Sequence, residues 1–462
     1  MLNRTLEKNL TEGNVAKQLI KFALPFMLSN LVQSLYNVAD MLIVGNYNGS
    51  AGISGVNIGG QVTFIMTNIV IGLSVGGTVI IAQYLGSGDR KSMKEAMGTL
   101  ITFLLAAAFV LTVTILLLSD TILRLIQTPA EAYDQAKEYL NITLTGTIFI
   151  FGYNAFSAIL RGLGDSKRPF IFVTIACVIN VFLDLLFVGV YKMAAAGAAL
   201  ATVISQAVSM IACIVYLKRS GFDFDFKLSS FKFYKSKFFM LLKIGIPISI
   251  QNVIVNFSFL VLTTIANSMG VIASAAVGIV GKYNGFAILP AIAVGSSVSA
   301  MVAQNMGAGM IDRAKKTFHI GTGLAFSFTF AVFVITWLFP ADILSLFGDE
   351  PEMISAGVEY IKTFSLDYLV VPVTFCLNGL ITGSGHTVVS SAGGIMSSIG
   401  FRIPLAILFG VTLDLGLWGL GFAAPAATVG TALILYIYYI SGRWKESTVV
   451  RSRPSQPAEN SR

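Results

Sequence analysis

The chain has 462 residues, 55% of them hydrophobic and only 12% charged, and its mean hydropathy is +0.78. A water-soluble domain carries about a quarter charged residues, so this balance excludes one. The formal net charge of +8 does not read as a nucleic-acid footprint, because the Lys and Arg lie between apolar segments, where membrane topology accounts for them.

Residues 1–18 are polar and of mixed charge, with no short apolar core and cleavage site after them, so they read as a cytoplasmic segment and not as a signal peptide. Apolar windows long enough to span a bilayer follow near 19–43, 53–82, 97–118, 138–160, 169–191 and 194–217. A second set lies near 239–265, 272–304, 317–340, 355–380, 388–411 and 416–440. The fold class expected is an all-α integral membrane protein of about twelve transmembrane helices. Basic residues gather in alternate connections: Arg4, Lys8 and Lys17; Arg90, Lys91 and Lys94; Arg161, Lys167 and Arg168; the stretch Lys218–Lys243; Arg313, Lys315 and Lys316; Arg443 and Lys445. The other connections hold Arg124 and Lys192 with acids such as Asp342, Asp349 and Glu350. The positive-inside rule then places both termini in the cytoplasm.

The two sets repeat one another at a near-constant separation of 221–222 residues. AQYLGSGDR at Ala82–Arg90 resembles AQNMGAGMIDR at Ala303–Arg313, and RGLGD at Arg161–Asp165 resembles TGSGH at Thr382–His386. Pro25 pairs with Pro247, Asn30 with Asn252, and Ala196–Thr202 with Trp418–Ala424. Six spans per half is an even number, so the repeat is parallel and not inverted. The expected organisation is a lobe over 19–217, a cytoplasmic, basic and aromatic interfacial linker over 218–238, a second lobe over 239–440 and a cytoplasmic tail over 441–462. Within that tail Ser447–Arg462 reads as disordered. The turns Gly86–Ser87–Gly88, Gly162–Leu163–Gly164 and Gly383–Ser384–Gly385 follow apolar helices, where glycine ends a helix with a positive φ. None follows a strand, so they are not phosphate-binding fingerprints, and no Walker A sequence occurs.

In the first span, PFMLSNLVQSLYNVADMLIVG at Pro25–Gly45, Asn30, Gln33, Tyr36, Asn37 and Asp40 share one helical face. A charge at bilayer depth costs roughly 2.5–3.5 kcal/mol on insertion scales. The stripe is either a hydrogen-bonded helix seam or the wall of a polar cavity. A second acid in the same half weighs towards the cavity: Asp184 lies among Leu183, Leu185, Leu186 and Phe187, one turn beyond Asn180. Both acids fall in the outer half of their spans, where they are suited to exchange protons with the outside. The plainer alternative is that each pairs with Asn180 or Asn154 for structure alone.

The second half differs. Asp40, Asn180 and Asp184 fall on Leu262, Arg402 and Ala406, and the intramembrane charges are instead Asp367 and Lys282, expected either to pair or to line a second cavity. Cys177, Cys213 and Cys376 are too scattered for a metal site or a disulfide framework. Only two histidines exist, His319 and His386, both expected near the cytoplasmic surface, and no nucleophile–base pair is evident, so the chain does not read as an enzyme.

The two six-helix repeats, the Pro25…Asp40 helix, Ala82–Gln83 with its Gly86–Ser87–Gly88 turn, Arg161–Gly162–Leu163–Gly164–Asp165 and Asn180…Asp184 together resemble the MATE family. These are the multidrug and toxic compound extrusion transporters. The resemblance runs from about residue 15 to 440 and is closest to the bacterial DinF-like branch. It implies two lobes forming a V in the bacterial cytoplasmic membrane, alternating access, and export of organic cations or amphipathic compounds against inward H+ or Na+. By position it implies a cation-coupling site at Asp40, Asn154, Asn180, Asp184 and Thr202, and a first helix that bends at Pro25. Some members hold a cation in the second lobe with a glutamate of the seventh helix and an aspartate of the tenth. Here Asp367 is present, but the seventh helix offers only Gln251, Asn252 and Asn256.

The resulting expectation is a proton-coupled multidrug exporter, with sodium coupling as the alternative and a flippase for a lipid-linked saccharide behind it. The coupling site is as above, and a sodium ion, if used, would sit at Asp40, Asn180 and Asp184. Asn30, Gln33, Tyr36, Asn37, Asn256, Lys282 and Asp367 are the candidates for the substrate cavity. Drug-like small molecules, the coupling ion and the bilayer are the partners expected. No cofactor, no nucleic acid and a monomeric chain complete the reading.

Overall fold

Long apolar runs without water must satisfy their own backbone hydrogen bonds, and helices do so within one segment. The computed structural model describes residues 7–220 and 230–450, and within them the regular structure is helical. The centre of the expected linker, 221–229, and most of the expected disordered tail, 451–462, lie outside the described residues, as do 1–6.

Among the described residues nine helices are long and apolar enough to cross a membrane, and twelve units result when three bent pairs are each taken as one span. We label these α1 (Val15–Tyr47), α2 (Gly52–Ser87), α3 (Arg90–Leu125), α4 (Ala130–Thr145 with Thr147–Gly162), α5 (Lys167–Val190) and α6 (Ala194–Arg219). The second lobe comprises α7 (Lys235–Ser268), α8 (Val271–Ala287 with Leu289–Gly307), α9 (Ile311–Leu338), α10 (Pro351–Phe364 with Asp367–Gly383), α11 (Thr387–Thr412) and α12 (Gly416–Ile440). Leu117 and Leu125 of α3 are each 80% exposed and Ile437 of α12 is 69% exposed. Apolar surface on that scale requires lipid.

The repeat seen in the sequence is a repeat of backbone detail. The bend in α4 is 48° and that in α10 is 45°. α5 ends in a π-helical stretch, Leu185–Val190, and α11 in its counterpart, Leu408–Thr412. Both are followed by a tight connection that turns through the left-handed region, with φ of 54° at Lys192 and 52° at Asp414. Prolines stand inside α1 and α7, at Pro25 and Pro247. α1 stays helical through Pro25, whose missing N–H removes one backbone rung, and Ser29 Oγ donates to the Pro25 carbonyl at 2.8 Å.

The lobes meet along the half of the molecule that carries the basic residues. There α2 packs on α7 with almost no side chain between them. A Cβ on Gly72 would lie 2.5 Å from the Ser249 nitrogen, and one on Gly76 would lie 3.0 Å from the Gly245 nitrogen. Ser249 Oγ donates to the Ile69 carbonyl at 2.9 Å. One turn and more towards the opposite face, on the same side of each helix, Ile65 is 51% exposed and Asn256 is exposed. The seam closed at Gly72 and Gly76 has opened by Ile65. The result is a V whose cleft opens away from the basic face.

Candidate functional site

α1, α5 and α6 bring the polar residues of the first lobe together. Asp184 closes the α-helical part of α5 just before its π-helical stretch, and it is fully buried. Asn180, one turn earlier, faces the same way. Its amide satisfies both neighbours in one orientation: Nδ2 donates to Asp184 Oδ2 at 2.7 Å, and Oδ1 accepts from the Thr202 backbone N–H of α6 at 3.0 Å. The Thr202 hydroxyl lies 3.2 Å from the hydroxyl of Tyr36 on α1. One turn beyond Tyr36, the Asp40 carboxyl stands within hydrogen-bonding reach of Asp184. Five residues from three helices thus form one chain: Tyr36, Thr202, Asn180, Asp184 and Asp40.

The electrostatics of this cluster are unusual. Neither carboxyl has an ion-pair partner, and Oδ1 of each is buried without a hydrogen-bond partner among the described residues. An ionised carboxylate only accepts hydrogen bonds. Two carboxyls this close repel when both are ionised, and a proton on one of them would link the pair. Beside Asp40 lies a cavity of about 170 Å³ lined by Asn37, Met41, Val44, Ile53, Val56 and Asn57. Drug-sized ligands occupy pockets of roughly 300–1,000 Å³, so this space suits small species and the open cleft suits larger ones.

Among the described residues, the other expected site residues make no hydrogen bond to the five residues of this chain. Asn154 turns back on its own helix, Nδ2 donating to the Ile150 carbonyl at 2.8 Å. Asn30 is half-buried and Gln33 exposed on α1, below Tyr36. Asn256 is exposed on α7 and donates to the Asn252 carbonyl at 2.8 Å.

Of the two readings of Asp367 and Lys282, a pair or the lining of a second cavity, no ion pair between them occurs among the described residues: Lys282 is exposed, whereas Asp367 is buried in the second lobe. The basic group whose field reaches Asp367 is Arg402. Arg402 is 7% exposed, lies over the Phe259 ring at 4.2 Å and donates from Nη1 to Ser258 Oγ at 2.8 Å. Its Nε and Asp367 Oδ1 are buried without hydrogen-bond partners. Arg402 ends a further π-helical stretch, Met396–Arg402, that has no counterpart in the first lobe.

Tyr139 of α4 was not singled out from sequence. It is buried and within electrostatic reach of both Asp40 and Asp184. Its neighbourhood, Glu138–Tyr139–Leu140–Asn141, looks like an ordinary amphipathic stretch, and no sequence signal marks it.

A protein-family model described as MatE matches the chain twice, over residues 25–186 and 247–408. The chain belongs to the MatE family. Each MatE match opens on the intrahelical proline, Pro25 or Pro247, and runs into the π-helical stretch of α5 or α11. The chain is 30% identical to the probable multidrug resistance protein YpnP of Bacillus subtilis (strain 168), covering 95% of this chain and 97% of that one. The fold matches a structure titled as MATE in complex with MaL6 with a TM-score of 0.89 at 22% identity, covering 94% of this chain and 97% of the other. It also matches an outward-facing multidrug resistance MATE transporter of the MOP superfamily with a TM-score of 0.88 at 21% identity, covering 94% and 97%. The resemblance drawn from the sequence motifs, the all-α fold and the two parallel repeats are all borne out.

Proposed function

We propose that this MatE protein exports cationic and amphipathic small molecules by alternating access, in exchange for protons taken up at Asp40 and Asp184. The observation that carries the proposal is the carboxyl pair itself: two acids in an apolar lobe, unpaired with any base, close enough to share a proton. A cationic drug in the cleft is attracted while the pair holds negative charge. Protonation from outside removes that charge, and the drug leaves outward. The return stroke exposes the pair to the cytoplasm, where the proton is lost. The relatives' naming as multidrug resistance proteins agrees with this reading. In it the working units are residues 19–217 and 239–440, joined by 218–238. The chain sits in the plasma membrane with its basic face and both termini cytoplasmic.

Sodium is the second reading, favoured by the unpartnered Oδ1 atoms of Asp40 and Asp184 beside the hydroxyls of Thr202 and Tyr36. These oxygens offer the hard-donor set that an alkali cation needs. Purified protein in sodium-free proteoliposomes decides between them. With an imposed pH gradient, transport of a fluorescent organic cation is expected, and a protonophore is expected to abolish it. No transport there, with restoration by a sodium gradient at equal pH, would overturn the proton assignment.

A further inference from the structure

The GxG turns at the basic face do more than end helices. Gln83 near the end of α2 is fully buried, and its Nε2 donates across the lobes to the Gly383 carbonyl at 2.7 Å. Its repeat equivalent, Gln304 near the end of α8, is 1% exposed and donates from Nε2 to the Gly162 carbonyl at 3.2 Å. Each glutamine of one lobe thus grips the first glycine of the other lobe's turn. The backbones approach equally closely: a Cβ on Gly86 would lie 2.0 Å from the Gln304 carbonyl oxygen, and one on Gly307 would lie 2.0 Å from that of Gln83. This is a two-fold clasp with no charge in it.

Each glutamine's amide oxygen is answered by a separate length of chain. Gln304 Oε1 accepts from the Leu10 N–H at 3.0 Å, in the segment before α1, while the Lys8 N–H donates to the Leu163 carbonyl at 2.9 Å. By the repeat, the segment before α7 would serve Gln83 in the same way. Its described part does something else: Phe231 O accepts from Thr102 Oγ1 at 3.0 Å, and Ser230 O crowds Gly98, both on α3. At Gln83 the equivalent place is held by the segment after α12. Ser447 Oγ donates to Gln83 Oε1 at 2.5 Å, and the Thr448 N–H lies 3.5 Å from the Ser384 carbonyl, the repeat equivalent of Leu163. Thr448 Oγ1 also donates to the Gly385 carbonyl at 3.0 Å.

Ser447–Val450, expected to be disordered, is therefore built into the closed face. Its root is fixed on the second lobe by Trp444, 1% exposed, and by His386, whose Nε2 meets the Glu446 carbonyl at 2.7 Å. Its tip enters the first lobe: Val449 is buried in the core cluster that holds Tyr84, Met97 and Leu100. The Val449 and Val450 N–H groups close a turn on Ser447 Oγ at 3.2 and 3.0 Å.

We propose that Ser447–Val450 is a removable strap that completes the two-fold clasp and holds the basic face shut. It ties a root on the second lobe to a core and a glutamine of the first, so the face cannot open until Ser447 leaves Gln83 and Val449 leaves its pocket. The segment before α1 is the matching strap, but it leads directly into a span, whereas Ser447–Val450 follows the last span and can detach without unravelling a helix. The strap thus sets the balance between the outward-open and inward-open forms.

The test uses the full chain in lipid nanodiscs, with the three native cysteines replaced and spin labels at Lys91→Cys and Lys315→Cys, exposed sites at the basic ends of α3 and α9. Pulsed electron resonance reads the distance across the face. Ser447→Ala removes the bond to Gln83 and the two turn bonds from the Val449 and Val450 N–H groups, and should raise the wide-distance population about threefold to tenfold. Adding Val449→Asp, which places a charge in the apolar pocket, should raise it further. Glu446→Gln, exposed and bonded only through its backbone, should leave the distribution as in the parent. Thermal unfolding and monodispersity establish that each variant is folded. An unchanged distribution in folded Ser447→Ala, alone and with Val449→Asp, would overturn the proposal.

Discussion

The two lobes share a backbone and part company in chemistry. α5 and α11 have the same π-helical stretch and the same left-handed connection, at Lys192 and Asp414. Yet where the first lobe has Asp40, Asn180 and Asp184, the second has Leu262, Arg402 and Ala406. One lobe buries a carboxyl pair with no base; the other buries a guanidinium whose field falls on Asp367. The lesson is that a duplicated scaffold can keep its backbone symmetric while only one copy holds a pair of neighbouring acids. The clasp of Gln83 and Gln304 belongs to the shared mechanics, and in the function proposed above the carboxyl pair belongs to the coupling.

The largest effect expected from breaking this asymmetry is at the acids. Asp184→Asn and Asp40→Asn keep shape and hydrogen bonding but remove the shared proton, and each should abolish gradient-driven transport while the protein remains monodisperse. Leu262→Asn in the second lobe should retain transport in the same proteoliposome assay. If an acid variant still pumps uphill, that acid is a structural one.

The mechanics should break from either side alike. Gly86→Ala and Gly307→Ala each drive a methyl into the opposing carbonyl, and overpacking of this kind costs roughly 1–3 kcal/mol. Both should slow transport by a similar factor, on the order of tenfold. Gly60→Ala, where nothing lies within 4 Å, is the control. A large effect at one of the two clasp glycines alone would show that the lobes do not close symmetrically.

The second lobe's own charges come next. Arg402→Met takes away the cation whose field reaches Asp367 and leaves Ser258 Oγ without its donor, and should lower stability by about 1–3 kcal/mol. Arg402→Met combined with Asp367→Asn should recover much of that loss. Additive losses in a thermal-unfolding double-mutant cycle would separate the two residues energetically. The smallest effect belongs to Lys282: exposed and without an ion pair, its change to Met should stay within about 0.5 kcal/mol.

Much of this arrangement is legible in the amino-acid order. The spans are long apolar windows, and the repeat announces itself in Ala82–Gln83 against Ala303–Gln304. Asp40 and Asp184 are conspicuous because few spans tolerate an acid. The grouping of Asn180 with Asp184 follows from one helical turn. What escaped were contacts set by neighbouring helices. Asn154 has the right chemistry, but its rotation binds it to Ile150. Arg402 ends a π-helical stretch that composition does not reveal. Ser447–Val450 is polar at its start and looks unstructured; the buried oxygen of Gln83, the Gly385 carbonyl and the pocket that takes Val449 order it. Gln83 itself was in plain view within the repeat, but a glutamine beside a helix-ending glycine carries no sign that it reaches across to another lobe.

The paired π-helical stretches also bear on ancestry. A backbone rung that spans five residues in place of four takes one extra residue into a turn. Leu185–Val190 and Leu408–Thr412 hold theirs at the same point of each half. The simplest history is that the extra residue was already present in the single six-helix ancestor, before its gene doubled. The stretch at Met396–Arg402 occurs in one half only, so the halves diverged at this point after doubling. It is also the stretch that ends on the buried arginine. Helix geometry thus separates what the two halves share, a kinked scaffold, from where they part, at the stretch that carries Arg402.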